Sequence, residues 1–336
     1  MKKLALIDKF IFILNSLFAT LLLLSYLSYY ISPNTISIFS LISLIIPVLL
    51  FINGVFALYW IIRLKKQFFL SVFVLAIGYQ YVTKFYSFKE KKIMLTDDVR
   101  IMSYNVRMFN LYKWINENNV DEKIYDFINT KEPDILCLQE FHPSLKKGLN
   151  FPYEYIKISN ENNHFGHAIF SKFEIINSGS LNFSKSGNNA IFADIVRNND
   201  TVRVYNIHME SLNLNPKDDY FTQENSEKFK VRVQNAFRIQ ANQATLIAEH
   251  IQKTTHKSII CGDFNNTAFS WVYHQLLKEK NDAFEVAGKG FGSTFDYKLP
   301  VRIDFILVDD QIEINNFKTY DVKFSDHFPI MARLNF

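Results

Sequence analysis

The strongest constraint on this chain is uninterrupted, charge-free length near its N-terminus. From Phe10 to Ile31, and again from Ile36 to Ile62, no residue carries a charge. Each run reaches the roughly 20 apolar residues that crossing a bilayer requires. A third charge-free run, Phe68 to Thr83, is shorter, but Lys84 can snorkel and Tyr79, Tyr81 and Tyr86 suit a membrane interface. Such runs, without amphipathic breaks, read as membrane spans rather than buried core helices. The first is too long for a cleaved signal peptide, and no small-x-small site follows it. Three transmembrane helices are therefore expected, at 10–31, 36–62 and 68–86, making residues 1–92 a membrane anchor.

Basic residues orient the anchor. Lys2, Lys3 and Lys9 precede the first run, Arg63, Lys65 and Lys66 separate the second from the third, and the SPNT loop has none. The positive-inside rule then places the N-terminus and the RLKK loop in the cytoplasm and residues 93–336 outside it. Lys84, Lys89, Lys91 and Lys92 weigh the other way, and a third segment that failed to cross would reverse the orientation.

Charge divides at the same point. Residues 1–92 hold ten Lys and Arg against two Asp and Glu, whereas 93–336 hold 27 against 31. The basic balance of the whole chain thus belongs to the anchor. A nucleic-acid binder usually carries a basic footprint, and the second part has none in bulk, although a local patch stays open. Cys137 and Cys261, the only cysteines, both lie in apolar runs and read as small buried side chains rather than a disulfide or zinc site.

Residues 93–336 read as one α+β domain. Strand-like stretches recur at 99–106, 134–140, 167–171, 191–196, 201–209, 257–264, 302–308 and 328–334. Helical patterns fall at 121–132, stopped by Pro133, at 227–253, and from a cap at Ser270 through Lys280. Long strands with helices at intervals suggest two packed sheets flanked by helices.

Several of these apolar strands end on polar residues. The run SII leads into CGDFNNT, where Asp263 and Asn265 could shape a turn or reach together toward a cation or phosphate. An EF-hand loop is excluded, because its sixth and twelfth positions would be Ala268 and His274. Asn105 ends SYNV, Glu140 ends CLQE, and Asn206 and His208 end VYNIHM. Asp304 sits in RIDFIL, and Asp326 and His327 form SDH before the last strand. Each alone has an ordinary explanation as a turn, cap or solvated strand end. Together they put carboxylates, amides and two imidazoles at several strand ends, which is how sandwich folds gather a site on one rim.

The ordered set SYNV, LQE, NIHMES, GDFN, RIDFIL and SDHFP resembles the endonuclease/exonuclease/phosphatase (DNase I-like) superfamily over residues 98–336. With its apolar leader the chain resembles membrane-anchored bacterial members. The resemblance implies a four-layer α/β/β/α sandwich with the site at one edge. It also implies phosphoester hydrolysis with Mg2+, or Mn2+ in its place. By that analogy Glu140 is the main metal ligand, with Asn105 and Asp326 beside it, directly or through water. Asp263 orients or deprotonates the attacking water, and Asn265 and His208 donate to phosphoryl oxygens. His327 does the same or assists proton transfer, held in its tautomer by Asp304.

Two features depart from the family pattern. The register where many relatives carry an arginine holds Gln240 and Gln243, leaving Arg238 displaced and its contact with phosphate in doubt. His167 falls where relatives vary and reads as structural. His142, His164, His250, His256 and His274 have no motif support and read as solvated. The leading functional class is a membrane-tethered, metal-dependent phosphodiesterase or phosphatase, at a bacterial inner membrane with its catalytic domain extracytoplasmic. Its substrate would be a small phosphodiester, a lipid headgroup or a nucleic acid, its other partner the lipid bilayer; no protein partner is inferred. A nuclease is the alternative, and an inactive membrane-anchored binding module the third. Retention of all the motifs speaks against the last.

Overall fold

A computed structural model of the chain describes residues 5–145, 148–158, 165–184, 186–212, 223–297 and 300–336, so Lys2, Lys3 and His164 lie outside the described residues. The chain packs as two compact units. The first runs through Phe85 and adds the part of a later helix that ends at Ala241 together with Ala268–His274.

Five helices begin the first unit: α1 (Leu6–Ser25), α2 (Ile38–Ser43), α3 (Ile46–Ile62), α4 (Phe68–Ile77) and α5 (Tyr79–Phe85). Polar side chains clasp α1, α3 and α4 together. Asp8 accepts from Tyr59 Oη at 2.9 Å and pairs with Arg63 at 3.1 Å. Trp60 Nε1–H donates to Asn15 Oδ1 at 2.8 Å, and Asn15 Nδ2 donates to Ser71 Oγ at 2.7 Å. Asn53 Nδ2 donates to the Phe18 carbonyl at 3.2 Å. The outward faces are apolar: Phe10, Phe51 and Phe73 are 63%, 69% and 63% exposed. Polar inside and apolar outside is the arrangement a lipid solvent favours, since an unpartnered polar group there costs several kcal/mol.

The three expected spans are not all present. Among the described residues only Leu6–Tyr29, 24 residues, is long and apolar enough to cross a membrane by itself. The second run divides into α2 and the 17-residue α3, which carries Pro47 in its first turn after a break at Leu44 and Ile45. Around α2, Ser40 and Ser43 turn their hydroxyls onto carbonyls three residues back, bonds that compete with a continuous helical ladder. The third run bends by 75° at Gly78, which lies between α4 and α5. A side chain at Gly78 would overlap the Tyr26 ring, so the residue that lets Tyr26 pack there also breaks the helix. Among the described residues there is one candidate span, or two if the bent pair counts as one.

The second unit is a mixed α+β sandwich. One sheet has the order β11-β12-β1-β2-β4-β3, the other β5-β6-β7-β8-β10-β9. In chain order the strands are β1 (Val99–Asn105), β2 (Ile135–Phe141), β3 (Tyr153–Ile158), β4 (Gly166–Ser171), β5 (Ile175–Ser180) and β6 (Asn189–Arg197), then β7 (Asp200–His208), β8 (Lys257–Asp263), β9 (Lys280–Asp282), β10 (Asp304–Asp309), β11 (Glu313–Thr319) and β12 (Ile330–Asn335). The expected strands correspond to β1, β2, β4, β6, β7, β8, β10 and β12. The short or half-exposed β3, β5, β9 and β11 lack a clear apolar pattern and were not anticipated.

Alternation places one set of side chains between the sheets. Ile101, Cys137, Ile169, Val204, Ile259 and Ile306 pack there. Both cysteines are free and buried. On the outer face of the first sheet, Met102, Tyr104 and Leu136 meet Val120, Ile124 and Ile128 of α6 (Val120–Lys131), a fourfold spacing that gives this helix its buried stripe. Glu132 closes α6 in a left-handed conformation just before Pro133. On the other sheet, Tyr205 Oη is 2.8 Å from His250 Nδ1 near the end of α7 (Gln223–Ile251). The helices α8 (Trp271–Leu277), capped by Ser270 Oγ accepting from Tyr273 N–H at 3.2 Å, and α9 (Ala283–Ala287) follow.

Gly262 fixes the approach of β8 to its neighbour. Its φ is +137°, and a Cβ there would overlap the Ile207 carbonyl oxygen of β7. Gly262→Ala should lower stability by about 1–3 kcal/mol, from the backbone strain alone. Thermal unfolding of the full chain checks this, and an unchanged midpoint would mean that the β7–β8 pairing yields freely.

Candidate active site

Parallel pairing brings the expected residues to one edge. β1 runs parallel to β2, and β7 parallel to β8, so in each pair the C-terminal ends fall together. In the second sheet His208 is in register with Asp263, and Asp263 with Asp304, which sets the three side chains abreast across β7, β8 and β10. In the first sheet Asn105 ends β1, and Glu140 follows its register partner Gln139 on β2. Glu140 sits at an irregularity between Leu138 and Phe141 with φ +50°. A left-handed, β-bulged carboxylate is strained, and bulges commonly re-aim a side chain beside a site.

Asp263 is 1% exposed, and groups from both sheets converge on it. Asn105 Nδ2 donates to Asp263 Oδ2 and to Glu140 Oε1, each at 3.2 Å. Asn265 N–H donates to Asp263 Oδ1 at 2.7 Å. His208 Nε2 and His327 Nε2 lie 3.5 and 3.6 Å from Asp263 Oδ2. The other nitrogen of His327, Nδ1, is 2.9 Å from Asp304 Oδ2. Burial, joined by the Asp304 charge, pushes the Asp263 carboxyl up to about 6, although His327 and His208 oppose it. Burial pulls His327 down, but the Asp304 and Asp263 carboxylates outweigh it and hold the imidazole at about 10. The site therefore keeps an imidazolium between two carboxylates at neutral pH.

Three further carboxylate and amide groups flank this cluster. Glu140 is pushed up by burial and meets an amide, Asn105, rather than a cation. The His327 and Arg107 charges favour its ionised form without pairing with it directly, and a divalent cation that takes oxygen ligands and keeps its own waters suits a carboxylate so placed. Asp326 is already engaged: Arg107 Nη1 lies 2.9 Å from its Oδ2. Asn105 Oδ1 accepts the Arg107 backbone N–H at 3.1 Å. Of the two expected carboxylate ligands, Asp326 has a direct ion pair and Glu140, among the described residues, meets Asn105 instead. Asp263, Asp304 and His327 also offer atoms within 4.8 Å of one another and could hold a metal ion. There, however, the imidazole nitrogen on the Asp304 side is committed to that carboxylate.

Not every expected contact is available as drawn from the motifs. Asn265, at φ +47°, donates its side-chain amide to the Met209 carbonyl at 2.9 Å and so braces Asp263 rather than facing outward. Arg238 is 3.4 Å from Ser37 Oγ, within the first unit. Gln243 Oε1 accepts Glu210 N–H at 2.9 Å. His142, His250, His256 and His274 are half-buried rather than solvated. Two residues were missed, Arg107 and Gln139, and His167, read as structural, comes close to the site. Arg107 follows SYNV directly and pairs with Asp326. Gln139 precedes Glu140; its Nε2 donates to Asn206 Oδ1 at 2.6 Å, tying the two sheets beneath the site. His167 lies 5.9 Å from His208, ring to ring. A buried polar side chain within an apolar strand was the only available signal for Gln139 and His167.

His327 makes stability depend on pH. Its pKa is raised in the folded chain, so between about 6.5 and about 10 the folded state keeps a proton that the unfolded state has released. The stabilisation is complete below 6.5 and falls away as pH rises through 10. Asp304→Asn should flatten that decline, read as the unfolding midpoint from pH 6 to 10 in wild type and variant.

Residues 102–327 match the model of the Endonuclease/Exonuclease/phosphatase family, and residues 8–85 match a domain of unknown function (DUF8431). No curated protein sequence matches significantly. Among solved structures, an endonuclease/exonuclease/phosphatase from Bacteroides vulgatus is similar at 21% identity, covering 71% of this chain and 98% of that one, with a TM-score of 0.52. The mannosyl-6-phosphatase of Bacteroides thetaiotaomicron is similar at 18% identity, over 71% and 100%, with a TM-score of 0.53. TDP2 of D. rerio, complexed with a single-strand DNA product, is similar at 16% identity, over 71% and 99%, with a TM-score of 0.52. At these identities the likeness is one of fold. The family match covers most of the chain: it belongs to the Endonuclease/Exonuclease/phosphatase family.

Proposed function

We propose that the chain is a membrane-tethered phosphoester hydrolase that works with a divalent cation, Mg2+ or Mn2+, and that residues 93–336 form its catalytic domain. The observation that carries this reading is the buried Asp304–His327–Asp263 cluster joined through Asn105 to Glu140. Glu140 would hold the cation, with Asp326 and Asn105 beside it. When bound, the cation would supply positive charge to offset that gathering on the phosphoryl oxygens.

The chain's own residues account for the rest. Asp263, ionised above about 6, accepts the proton of the attacking water. Its Oδ1 is fixed by the Asn265 backbone, which leaves Oδ2 turned toward the imidazoles. His327, charged and oriented by Asp304, offers Nε2–H to a phosphoryl oxygen as negative charge develops, and His208 offers the same from β7. Asn105 keeps Glu140 and Asp263 at a fixed spacing.

Residues 93–336 are net acidic, which favours a compact substrate such as a small phosphodiester or a lipid headgroup. One observation favours the nuclease alternative. A cleft of ≈ 1050 Å³ in the second unit is lined by Lys91, Lys92, Arg100, Lys131, Lys318 and Arg333 among its cations, against Glu90, Asp296 and Asp321, a local basic excess inside an acidic domain. The full chain, assayed on small phosphodiesters and on duplex DNA, should turn over the small substrates. Chelator should abolish turnover, and Glu140→Gln should lower it by about 10²-fold or more, the scale of losing a group that stabilises transition-state charge. Activity in excess chelator, or an unimpaired variant, would overturn metal use. Turnover of DNA alone, with affinity falling by roughly 0.9 log units per log salt for each phosphate gripped, would make the basic cleft a nucleic-acid groove.

The tether is Leu6–Tyr29, with Lys9 at its N-terminal end, and the enzyme is expected on the extracytoplasmic side of a bacterial inner membrane. A reporter active only after export, fused after Lys92, should be active. Silence there, with activity after Lys66, would put the catalytic domain in the cytoplasm.

A further inference from the structure

Among the described residues, two ring nitrogens beneath the site have no hydrogen-bond partner. His167 Nδ1 and His208 Nδ1 are buried without a hydrogen-bond partner. Their side chains are among the most enclosed polar groups of the second unit, His167 at 1% and His208 at 5% exposure. A buried polar atom left unbonded costs about 1–3 kcal/mol, and two in rings this close can share one partner. His167 projects from β4 and His208 from β7, across the gap between the sheets, with ring centroids 5.9 Å apart. No direct bond joins the two rings.

The other nitrogen of each ring decides where its hydrogen sits. His167 Nε2 is 3.0 Å from the Asn189 carbonyl oxygen, which can only accept, so Nε2 carries the hydrogen. Burial, and then neighbouring His208, hold the His167 pKa at about 3, so the ring is neutral and Nδ1 is a bare lone pair. His208 Nε2 faces the Asp263 carboxylate at 3.5 Å, again an acceptor, and burial lowers this imidazole's pKa too. Its Nδ1 is therefore a second lone pair. Two lone pairs repel each other and repel anions. A metal ion would need further ligands, and among the described residues no metal-holding group of His, Cys, Asp and Glu includes either ring. One small molecule with two hydrogens to give satisfies both atoms: water.

We propose that a buried water bridges His167 Nδ1 and His208 Nδ1, making His167 a positioning residue. By donating to His208 Nδ1, this water locks the hydrogen of His208 on Nε2, the atom turned toward Asp263. The functional consequence rests on the reading of His208 as a donor to the phosphoryl group. Without the water, only the 3.5 Å approach of Asp263 favours the hydrogen on Nε2, and the Nδ1 tautomer becomes populated at the expense of that donor.

Two substitutions separate this role from a merely structural one. His167→Asn places an amide oxygen near the position of Nδ1 but gives up the bond to Asn189. His167→Gln keeps a donor near the position of Nε2 but gives up the acceptor. Both are made in the full chain in detergent micelles, with ring-nitrogen NMR on 15N-histidine protein and steady-state kinetics on a small phosphodiester. His208 should be protonated on Nε2 in wild type and in His167→Asn, and mixed between nitrogens in His167→Gln. His167→Gln should lose kcat by about 10–100-fold, as when an outer partner of a functional histidine is removed. KM should stay within about twofold, and His167→Asn should keep most of the rate. The reverse order, with Gln active and Asn impaired, would mean that His167 acts only as a brace to Asn189 and would overturn the proposal. So would His208 protonated on Nδ1 in wild type, or an unchanged tautomer in His167→Gln. If no phosphoester is turned over, the reaction proposed above fails, and the tautomer of His208 in wild type and His167→Gln still decides this inference.

Discussion

The site end of the second unit is organised around one buried charge. Asp263 lies between two sheets, where an unpaired carboxylate would be strongly disfavoured. Its surroundings answer that penalty from every side. Asn105 reaches it from β1, His208 from β7, His327 from the turn before β12, and the backbone of Asn265 from the loop just beyond. Because these donors come from both sheets, the sandwich cannot slide in register without stranding the carboxylate. Gln139 and Asn206 add a second polar tie below it, with Asn206 Nδ2 donating to the Leu138 and Ala168 carbonyls at 2.8 and 2.9 Å.

That arrangement stores strain where chemistry is proposed. Glu140 and Asn265 are both non-glycine residues in left-handed conformations, and the run Arg107–Asn110 after β1 is left-handed at every position. Such conformations persist only where the surroundings over-determine them. Here the surroundings are the buried Phe109 against Phe141, the Arg107–Asp326 pair, and the bonds that fix Asp263. Stability elsewhere in the sandwich core holds the rim in a shape that the local sequence would not choose.

The N-terminal unit distributes its polar and apolar groups the other way round. Its bonds among Asn15, Trp60 and Ser71, and from Tyr59 to Asp8, lie inside, and phenylalanines face outward. The charge-free runs made all three helical segments legible, but not their lengths. Pro47, the serine hydroxyls of α2 and Gly78 shorten or bend two of them, and a hydropathy pattern alone does not weigh backbone breaks against apolar content.

In the catalytic region, the sequence by itself determined the eight apolar strands and the two long helices, because strong alternation and fourfold spacing are local signals. It also determined the residue types at the strand ends, which is why Asn105, Glu140, His208, Asp263, Asp304 and His327 could be named as one set before their positions were known. Only the tertiary structure decided what each one touches. Asp326 is met by Arg107, Asn265 turns to Met209, and His167 comes to lie beside His208 with an unbonded nitrogen. Those contacts depend on strand register and on which sheets face each other. Residues as far apart in sequence as Asn105 and Asp263 meet only when two sheets close over a common core, and no local pattern in the chain encodes that distance.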